Sequence, residues 1–426
     1  MDEPRGRAAL TAVVGALGIA ALVWIYTTPL VWPPIRSDGT GYYLYLPATF
    51  IDHDLTLERT FAHSFGGQVP DWAGIHRAPR TGRNFIKYPV GEAVLIAPFF
   101  LAAHAATLLS GGSADGFSSA YQIAAAIAGL TYVTLGVWIL WGVLAASFST
   151  RVVAWTLVVI VFGTNLFHYA TYDSIFSHAF SFFLFAVFLA CASRWRQRLD
   201  VRSTMAIAVV AGLITLVRPT NSLVFVYAFA ADTPEWWARL RRADVGRLIV
   251  IGAATYCAVL LPQLAYWKYT TGHWLIFSYV GETFDFAHPK IVDVLFSVRR
   301  GLFVWAPVLG LAVAGCAFLR RHARGYAIPT LVFMPLQVWL VASWHDWAYG
   351  AGFGHRAFVE SAALFAFGYA SLLQSAITAG RQPWVMAVSI VLTFVCVRLM
   401  VQYWLGVIPI DHTTWPEYWS ALWSTQ

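Results

Sequence analysis

Long apolar runs separated by short polar stretches recur along the chain. Runs near the roughly 20 residues that a helix needs to cross a bilayer lie at 8–30, 118–147, 152–171, 177–193, 248–268, 302–319, 326–343, 357–378 and 384–405. Two further regions, 90–109 and 204–231, are also apolar, but their pattern leaves open whether they cross. The pattern predicts an all-α polytopic membrane protein.

Arginines between the apolar runs predict the topology. Positively charged loops favour the cytoplasmic side of a membrane, so that side is expected to hold Arg5, Arg7, Arg151, Arg194, Arg196, Arg198, Arg202, Arg239, Arg241, Arg242, Arg247, Arg320, Arg321, Arg324 and Arg381. An even number of crossings must then separate Arg7 from Arg151. Segment 90–109 is therefore predicted not to cross, but to lie in the outer interface or to dip back out.

The region 204–231 is predicted to form two short spans. The sequence Arg218-Pro219-Thr220-Asn221 interrupts it, and proline ends a helix while freeing backbone groups that need polar partners. With both spans included, the sequence predicts about 11 transmembrane helices and an outer C-terminus.

The predicted organisation is one membrane domain, 1–426, without a large soluble domain. Its longest loop, 31–117, lies outside and carries juxtamembrane helices, one of them from Tyr42 to Ile51 with a kink at Pro47. Loops of this length in compact proteins are usually functional. Further outer segments are predicted at 269–301, 344–356 and the short C-terminal tail 406–426.

Composition agrees with a membrane protein. Of the 426 residues, 59% are hydrophobic and 12% charged, and the mean hydropathy is +0.62. This leaves too little polar surface for a soluble globule of that size. The net charge of +7 follows from the arginine-rich loops, so we expect membrane lipid and no nucleic acid as a partner.

Cysteines and sequons bear on the compartment. All four cysteines lie inside apolar runs, which argues against disulfides and a zinc site. No Asn-x-Ser/Thr sequon occurs. We expect an integral multi-pass protein of the bacterial inner membrane.

The predicted topology gathers ionisable residues at the outer face. These are Asp38, Asp52, Asp54, Lys87, Asp173, Arg218, Glu282, Asp285, Asp346, Arg356 and Asp411. Ionisable groups at or below a membrane surface are costly and usually functional. Chemistry on the non-cytoplasmic side is the economical interpretation.

Each acidic candidate has two interpretations. Asp38, in Ser37-Asp38-Gly39, is either a base aimed into a cavity or the Asx residue of a turn. Asp52 and Asp54 either bind a divalent cation or end a solvated helix. Asp173 is either a cavity carboxylate or a helix-end cap.

Each basic candidate also has two interpretations. Lys87 either holds a lipid-linked phosphate or extends toward headgroups. Arg218 lies in an apolar region, where arginine costs on the order of 2.5 to 3.5 kcal/mol, so it needs a bound anion or a carboxylate partner. Arg299 and Arg300 serve an anionic ligand or lipid headgroups.

The stretch from Trp344 to Arg356 is the richest in candidate chemistry. Alternating glycines allow backbone N–H groups to face an anion, and the guanidinium of Arg356 suits phosphate. A glycine turn is the simpler alternative. His345, Asp346 and His355 together form a further candidate metal site.

These stretches resemble the glycosyltransferase C superfamily, which uses polyprenyl-phosphate sugars and includes dolichyl-phosphate-mannose mannosyltransferases and aminoarabinose transferases. The residues that carry the resemblance are Ser37-Asp38-Gly39 with Tyr42-Tyr43, Lys87-Tyr88-Pro89, Tyr172-Asp173 and Arg218-Pro219-Thr220-Asn221. Stretches similar to 347–356 and to Gln402-Tyr403-Trp404 through Thr413-Thr414-Trp415 recur in related bacterial sequences of unassigned substrate. Each motif is short, and their order along nearly the whole chain is what makes the similarity.

The resemblance implies an outward-facing cavity closed by the first loop, with Asp38 as catalytic base. It implies Lys87 as a contact to the donor phosphate and Asp173 as a second cavity carboxylate. By their charge, Arg218 and Arg356 are predicted to bind the same phosphate. The other residues predicted to line the cavity or contact the acceptor are Tyr42, Tyr88, Glu282, His345, Asp346 and His355. Several relatives have paired acidic residues where Gly39 follows Asp38 here, so metal use is in doubt and no cofactor is expected.

The function predicted is inverting transfer of a sugar from a polyprenyl-phosphate donor to a glycan, lipid or protein acceptor on the outer side. One alternative is a flippase or transporter for a lipid-linked sugar, which about 11 spans with a broken segment near Arg218 would suit. The other is a ligase that moves an entire glycan from a lipid diphosphate.

Overall fold

The computed structural model describes residues 3–28, 31, 33–229, 234–242 and 244–424. Small parts of the predicted segments therefore lie outside the described residues: 29–30 of the first apolar run, 32 of the first outer loop, 230–231 of the interrupted region and 425–426 of the tail. The chain is 71% helical with almost no strand, which confirms the all-α prediction.

Within the described residues, seven helices are long and apolar enough to cross a membrane. They are Glu3–Thr27, Gly91–Ser110, Ser119–Ala145, Ser177–Arg198, Val245–Thr271, Arg324–Ala342 and Gln382–Trp404. The shorter apolar helices include Thr150–Phe162, Val201–Val217 and Ala362–Thr378. These elements fit a multi-pass membrane protein, and the count of about 11 spans stays a prediction.

Two of the predicted spans consist of separate helices. The run 152–171 contains Thr150–Phe162 and Leu166–Thr171, and the run 302–319 contains Leu302–Trp305 and Val308–Gly315. Gly163 lies in the first break and Pro307 in the second. Both residue types favour a helix end, glycine through its backbone freedom and proline through its missing N–H.

The remaining elements are short. The other α-helices are Asp38–Tyr43, Tyr45–Phe50, Glu58–Ser64, Val226–Phe229, Pro234–Arg242, Ile291–Phe296, Leu319–His322 and Trp415–Trp423, and the 3-10 helices are Asp71–Ala73, Pro219–Phe225, Cys316–Phe318 and Arg356–Phe358. Strands Ile75–Arg77 and Asn84–Ile86 form an antiparallel hairpin that the sequence did not predict.

The juxtamembrane helix of the first loop begins earlier than predicted. Instead of one helix from Tyr42 to Ile51, there are two, Asp38–Tyr43 and Tyr45–Phe50, on either side of Leu44. Pro47 lies in the first turn of the second helix, where its missing N–H costs no hydrogen bond. The earlier start places Asp38 at a helix N-terminus.

Helix Gly91–Ser110 runs alongside only part of helix Ser119–Ala145. The Tyr132 hydroxyl, midway along the longer helix, donates a hydrogen bond of 2.9 Å to the carbonyl of Leu95. The shorter helix therefore starts at the depth of its neighbour's middle. It is nevertheless long enough to cross a membrane, so its placement in the outer interface stays a prediction.

Small residues let the helices approach closely. A Cβ on Gly315 would collide with the backbone of Gly368, and one on Gly91 would collide with the backbone of Leu216. Membrane helices commonly pack through such small residues. The second contact brings the first turn of helix Gly91–Ser110 against the end of the helix that precedes Arg218.

The predicted break at Arg218 is present. Helix Val201–Val217 ends there, Arg218 has an extended backbone, and a 3-10 helix starts at Pro219. Since proline cannot continue the α-helical hydrogen bonding, the local sequence accounts for the break. Its consequence is that the Arg218 side chain lies beside a cavity.

Candidate functional site

One cavity of about 580 Å³ collects residues from distant parts of the chain. It lies among the first loop, the break at Arg218, helix Val245–Thr271, and the segments around 275–284 and 344–356. Nine of the candidate site residues line it: Asp38, Tyr42, Lys87, Tyr88, Arg218, Glu282, His345, Asp346 and Arg356. Their proximity is a result of the fold, because they are spread over more than 300 positions of sequence.

Asp38 is held by two partners at the cavity wall. The Tyr88 hydroxyl donates a hydrogen bond of 2.8 Å to one carboxylate oxygen, and a guanidinium nitrogen of Arg356 lies 3.1 Å from the other. The neighbouring Gly39 permits this position, since a Cβ there would collide with Ile175. Asp38 is therefore a fixed cavity carboxylate and not a solvent-facing turn residue.

The surroundings of Asp38 favour its ionised form. Burial by itself would raise the pKa of Asp38, but Arg356 and the hydrogen bond from Tyr88 outweigh it, and the pKa lies below the ordinary value. The same carboxylate in turn raises the pKa of Arg356 above its ordinary value, against the effect of burial. At neutral pH the two groups form a charged pair.

Lys87 is also paired. Its ammonium lies 2.6 Å from a carboxylate oxygen of Glu282 and 5.1 Å from the ring centres of both Tyr88 and Tyr279. The Ser278 hydroxyl donates to the backbone carbonyl of Lys87. These contacts fasten the segment around 278–282 to the first loop and close that side of the cavity.

Arg218 contacts a histidine instead of a carboxylate. One of its terminal nitrogens lies 3.2 and 3.1 Å from the two ring nitrogens of His178, and the ring of Tyr349 is 5.9 Å away. The Nδ1 atom of His178 lies 3.0 Å from a carboxylate oxygen of Glu360. The carboxylate partner expected for Arg218 is thus reached only through His178, and it is not Asp173.

Asp173 and His355 lie outside the residues that line the cavity. Asp173 is buried and pairs with Arg36 at 2.6 Å and with His168 at 2.8 Å. Burial would raise its pKa, yet the charge of Arg36 and the contact with His168 lower it to about 2. His355 is 1% exposed, and burial lowers its pKa to about 3.

Asp173 is expected to stabilise the fold. Asp173→Asn would leave the guanidinium of Arg36 without its counter-charge, at a cost on the order of 3 kcal/mol, so we expect a lower midpoint of thermal unfolding in detergent. With a pKa near 2 against the usual 3.8, the contribution is complete above the usual value and lost as pH falls through the lower one.

The matched control for that experiment is Asp285→Asn, because the Asp285 side chain is 60% exposed. Exposed ion pairs contribute little to stability, so its unfolding midpoint should stay at the wild-type value. Equal midpoints for Asp173→Asn and wild type would contradict the stabilising role.

Other charged candidates have hydrogen-bond partners away from the cavity. Arg299 binds Asp411 through two nitrogens at 2.9 and 3.0 Å, and the buried Arg300 donates to the carbonyl of Ile410. Asp52 accepts a hydrogen bond from Thr60. Arg299 and Arg300 therefore stabilise the contact between the segment that precedes Gly301 and the C-terminal tail.

The proposed metal sets do not converge. Among the described residues, no group of three or more His, Cys, Asp or Glu side chains is arranged to hold a metal ion. His345 and Asp346 line the cavity, whereas His355 lies behind it. The donors near Asp38 are a phenol and a guanidinium, which do not suit a divalent cation.

The glycines near Arg356 have separate roles. Gly350 lines the cavity, while Gly352 approaches the Tyr169 hydroxyl and Gly354 approaches Trp305. Gly350 and Gly354 have φ of 67° and 61°, a region that glycine occupies without strain. The turn interpretation thus describes this segment well, and the turn delivers Arg356 to the cavity.

Sequence reasoning did not identify three buried ionisable residues near the cavity: Glu92, His178 and Glu360. Within the described part of the chain, neither carboxylate oxygen of Glu92 has a hydrogen-bond partner, and Glu92 is 0% exposed. Each of the three lies inside or at the start of an apolar run. An ionisable residue in such a place is a signal of function in itself.

No protein-family model, curated protein or solved structure matches the chain. The function therefore has to be argued from the chemistry of the cavity.

Proposed function

We propose that the protein is an inverting glycosyltransferase that moves a sugar from a polyprenyl phosphate to an acceptor hydroxyl. The observation that carries this proposal is the cavity that holds the Asp38 carboxylate together with Lys87, Arg218 and Arg356. An ionised carboxylate can accept a proton, and the three cations can bind a phosphate. The resemblance of the same residues to the glycosyltransferase C superfamily points in the same direction.

The walls of the cavity support a lipid-linked donor. One side is apolar and includes Leu260, Leu264, Leu275 and Phe277. Leu275 and Phe277 are 77% and 61% exposed, and helix Val245–Thr271 has little of its surface buried in the protein. An isoprenoid tail can leave the cavity along this side into the bilayer while its phosphate faces the cations.

In the proposed reaction one bond forms and one bond breaks at the anomeric carbon. The oxygen of an acceptor hydroxyl forms a bond to the anomeric carbon, and the bond from that carbon to the phosphate oxygen breaks. The phosphate leaves with the electron pair of that bond, and Asp38 takes the hydroxyl proton. Attack on the face opposite the phosphate inverts the anomeric configuration.

Arg356 links phosphate binding to the basicity of Asp38. Arg356 neutralises Asp38 by direct pairing, which makes the carboxylate a weak base. A donor phosphate competes for the same guanidinium and lessens its hold on the carboxylate, so the basicity of Asp38 rises only with donor bound. Fixed cations next to the departing phosphate stabilise the charge that develops there, usually the largest contribution to catalysis.

We expect the purified protein in detergent to form a glycosylated acceptor from a polyprenyl-phosphate sugar and to release the polyprenyl monophosphate. The measurement is mass spectrometry of both products, with the anomeric configuration read by NMR. Because transfer needs no closed compartment, activity in micelles separates an enzyme from a transporter.

Two outcomes contradict the proposal. Movement of intact lipid-linked sugar across proteoliposomes without any product in micelles identifies a flippase. Release of a diphosphate carrier identifies a ligase that uses a lipid diphosphate. Candidate acceptors come from comparing cell-envelope glycans with and without the protein, in bacteria, with the cavity on the exterior side of the inner membrane.

A further inference from the structure

We infer that Glu360 and His178 are positioning residues that hold Arg218 as the principal phosphate receptor of the cavity. The inference rests on the proposed function for the identity of the anion, a lipid monophosphate. It assigns a role to His178, which lines the cavity, and to the buried Glu360 next to it, and it ranks the three cations.

The pairing of charges sets Arg218 apart from the other two cations. Lys87 lies 2.6 Å from Glu282, and Arg356 lies 3.1 Å from Asp38. An anion must compete with a carboxylate for either of them. Among the described residues, Arg218 has no such direct ion pair, so its charge is open to a ligand.

The hydrogen-bond partners of His178 assign the tautomer of its ring. Arginine can only donate, and its terminal nitrogen lies 3.2 Å from Nδ1 and 3.1 Å from Nε2, so it is the unprotonated ring nitrogen that accepts. A carboxylate can only accept when ionised, so Nδ1, which lies 3.0 Å from Glu360, donates. One neutral tautomer satisfies both contacts and relays the negative charge of Glu360 to Arg218.

Burial makes this arrangement firm. The side chains of His178 and Glu360 are 2% and 1% exposed, and a buried carboxylate is costly unless it is hydrogen-bonded and compensated. His178 also contacts the ring of Tyr169, with ring centres 5.1 Å apart. Both residues are therefore held firmly by their neighbours, and Arg218 itself remains part of the cavity lining.

Backbone geometry adds a second constraint on Arg218. The residue has an extended conformation between the end of an α-helix and Pro219. Proline fixes the chain direction after it, so the side chain leaves from a rigid position. An indirect counter-charge then orients the guanidinium without neutralising it at the face that the ligand would meet.

The test is a double-mutant cycle on binding of farnesyl phosphate, a short isoprenoid monophosphate, to the purified full-length protein in detergent. We expect Arg218→Gln to weaken binding by about tenfold or more and Glu360→Gln by about fivefold to tenfold. If Glu360 acts through Arg218, the double variant binds as Arg218→Gln does.

Glu282→Gln is the matched control because it removes a carboxylate that contacts a different cavity cation, Lys87. Its effect on binding should add to that of Arg218→Gln. Glu360→Asp should restore part of the affinity lost in Glu360→Gln, which a merely structural role would not predict at equal unfolding midpoints. If Glu360→Gln does not fold, His178→Gln tests the same relay.

The outcomes separate this inference from the proposed function. Additive effects of Glu360→Gln and Arg218→Gln, or absence of farnesyl phosphate binding by the wild type, overturn the inference. Coupled binding without any sugar transfer leaves the relay in place and removes the glycosyltransferase. Sugar transfer together with additive effects on binding supports the glycosyltransferase and removes the relay.

Discussion

Asp38→Asn is expected to reduce transfer by on the order of 10² to 10⁴, the range typical for loss of a positioned general base. The amide cannot take the acceptor proton, but it has nearly the same shape as the carboxyl group. Its single carbonyl oxygen can accept a hydrogen bond from Arg356, while its NH2 group can donate to the Tyr88 hydroxyl, the partner of the other wild-type oxygen. Turnover should fall while farnesyl phosphate binding is retained or becomes tighter, because Arg356 no longer faces a negative charge.

The control for this variant is Glu282→Gln, which removes the other close carboxylate partner of a cavity cation. It should change donor affinity more than turnover, since Glu282 faces Lys87 and has no part in taking the proton. Near-normal turnover by Asp38→Asn, at an unchanged unfolding midpoint, would falsify the assignment of Asp38 as base.

Arg356→Gln is expected to lower transfer by about 10- to 100-fold, the size of a lost hydrogen bond between charged groups. It should also move the acidic limb of the pH profile. The base works deprotonated, and the wild-type pKa of Asp38 lies below its ordinary value because Arg356 and Tyr88 outweigh burial. The wild-type rate should therefore stay flat through mildly acidic pH.

Without Arg356 the effect of burial on Asp38 dominates, its pKa rises, and activity should be lost at a higher pH than in the wild type. Arg356→Lys separates the two roles of this residue. Lysine keeps the charge, so the acidic limb should stay near that of the wild type, but it lacks the planar fork that binds two phosphate oxygens. Identical pH profiles for the glutamine and lysine variants would contradict this account.

The sequence identified most of the cavity residues, but not which of them contact one another. Asp38, Lys87, Arg218 and Arg356 stand out because charged residues are rare in an apolar chain, and the rule for positive loops places them on one side. Neither periodicity nor topology states which of them are in contact. Asp38 could have faced Lys87 as readily as Arg356.

Two residues show where local reasoning stops. Asp173 is predicted to be a cavity residue, but it forms an ion pair with Arg36 instead. That pairing depends on how the first loop packs. Glu360 begins a predicted span and carries no motif. Its closeness to His178 follows from contacts over 182 positions of sequence.

The sequence by itself determined that the chain is helical and apolar and that a helix ends at Arg218-Pro219. These properties depend on hydrophobic length and on the backbone limits of proline, both of which are local. The tertiary structure alone decided the pairs Asp38 with Arg356, Lys87 with Glu282, and Arg218 with His178. Distances of about 3 Å between residues far apart in sequence depend on helix packing, and packing depends on side-chain shapes across the whole fold.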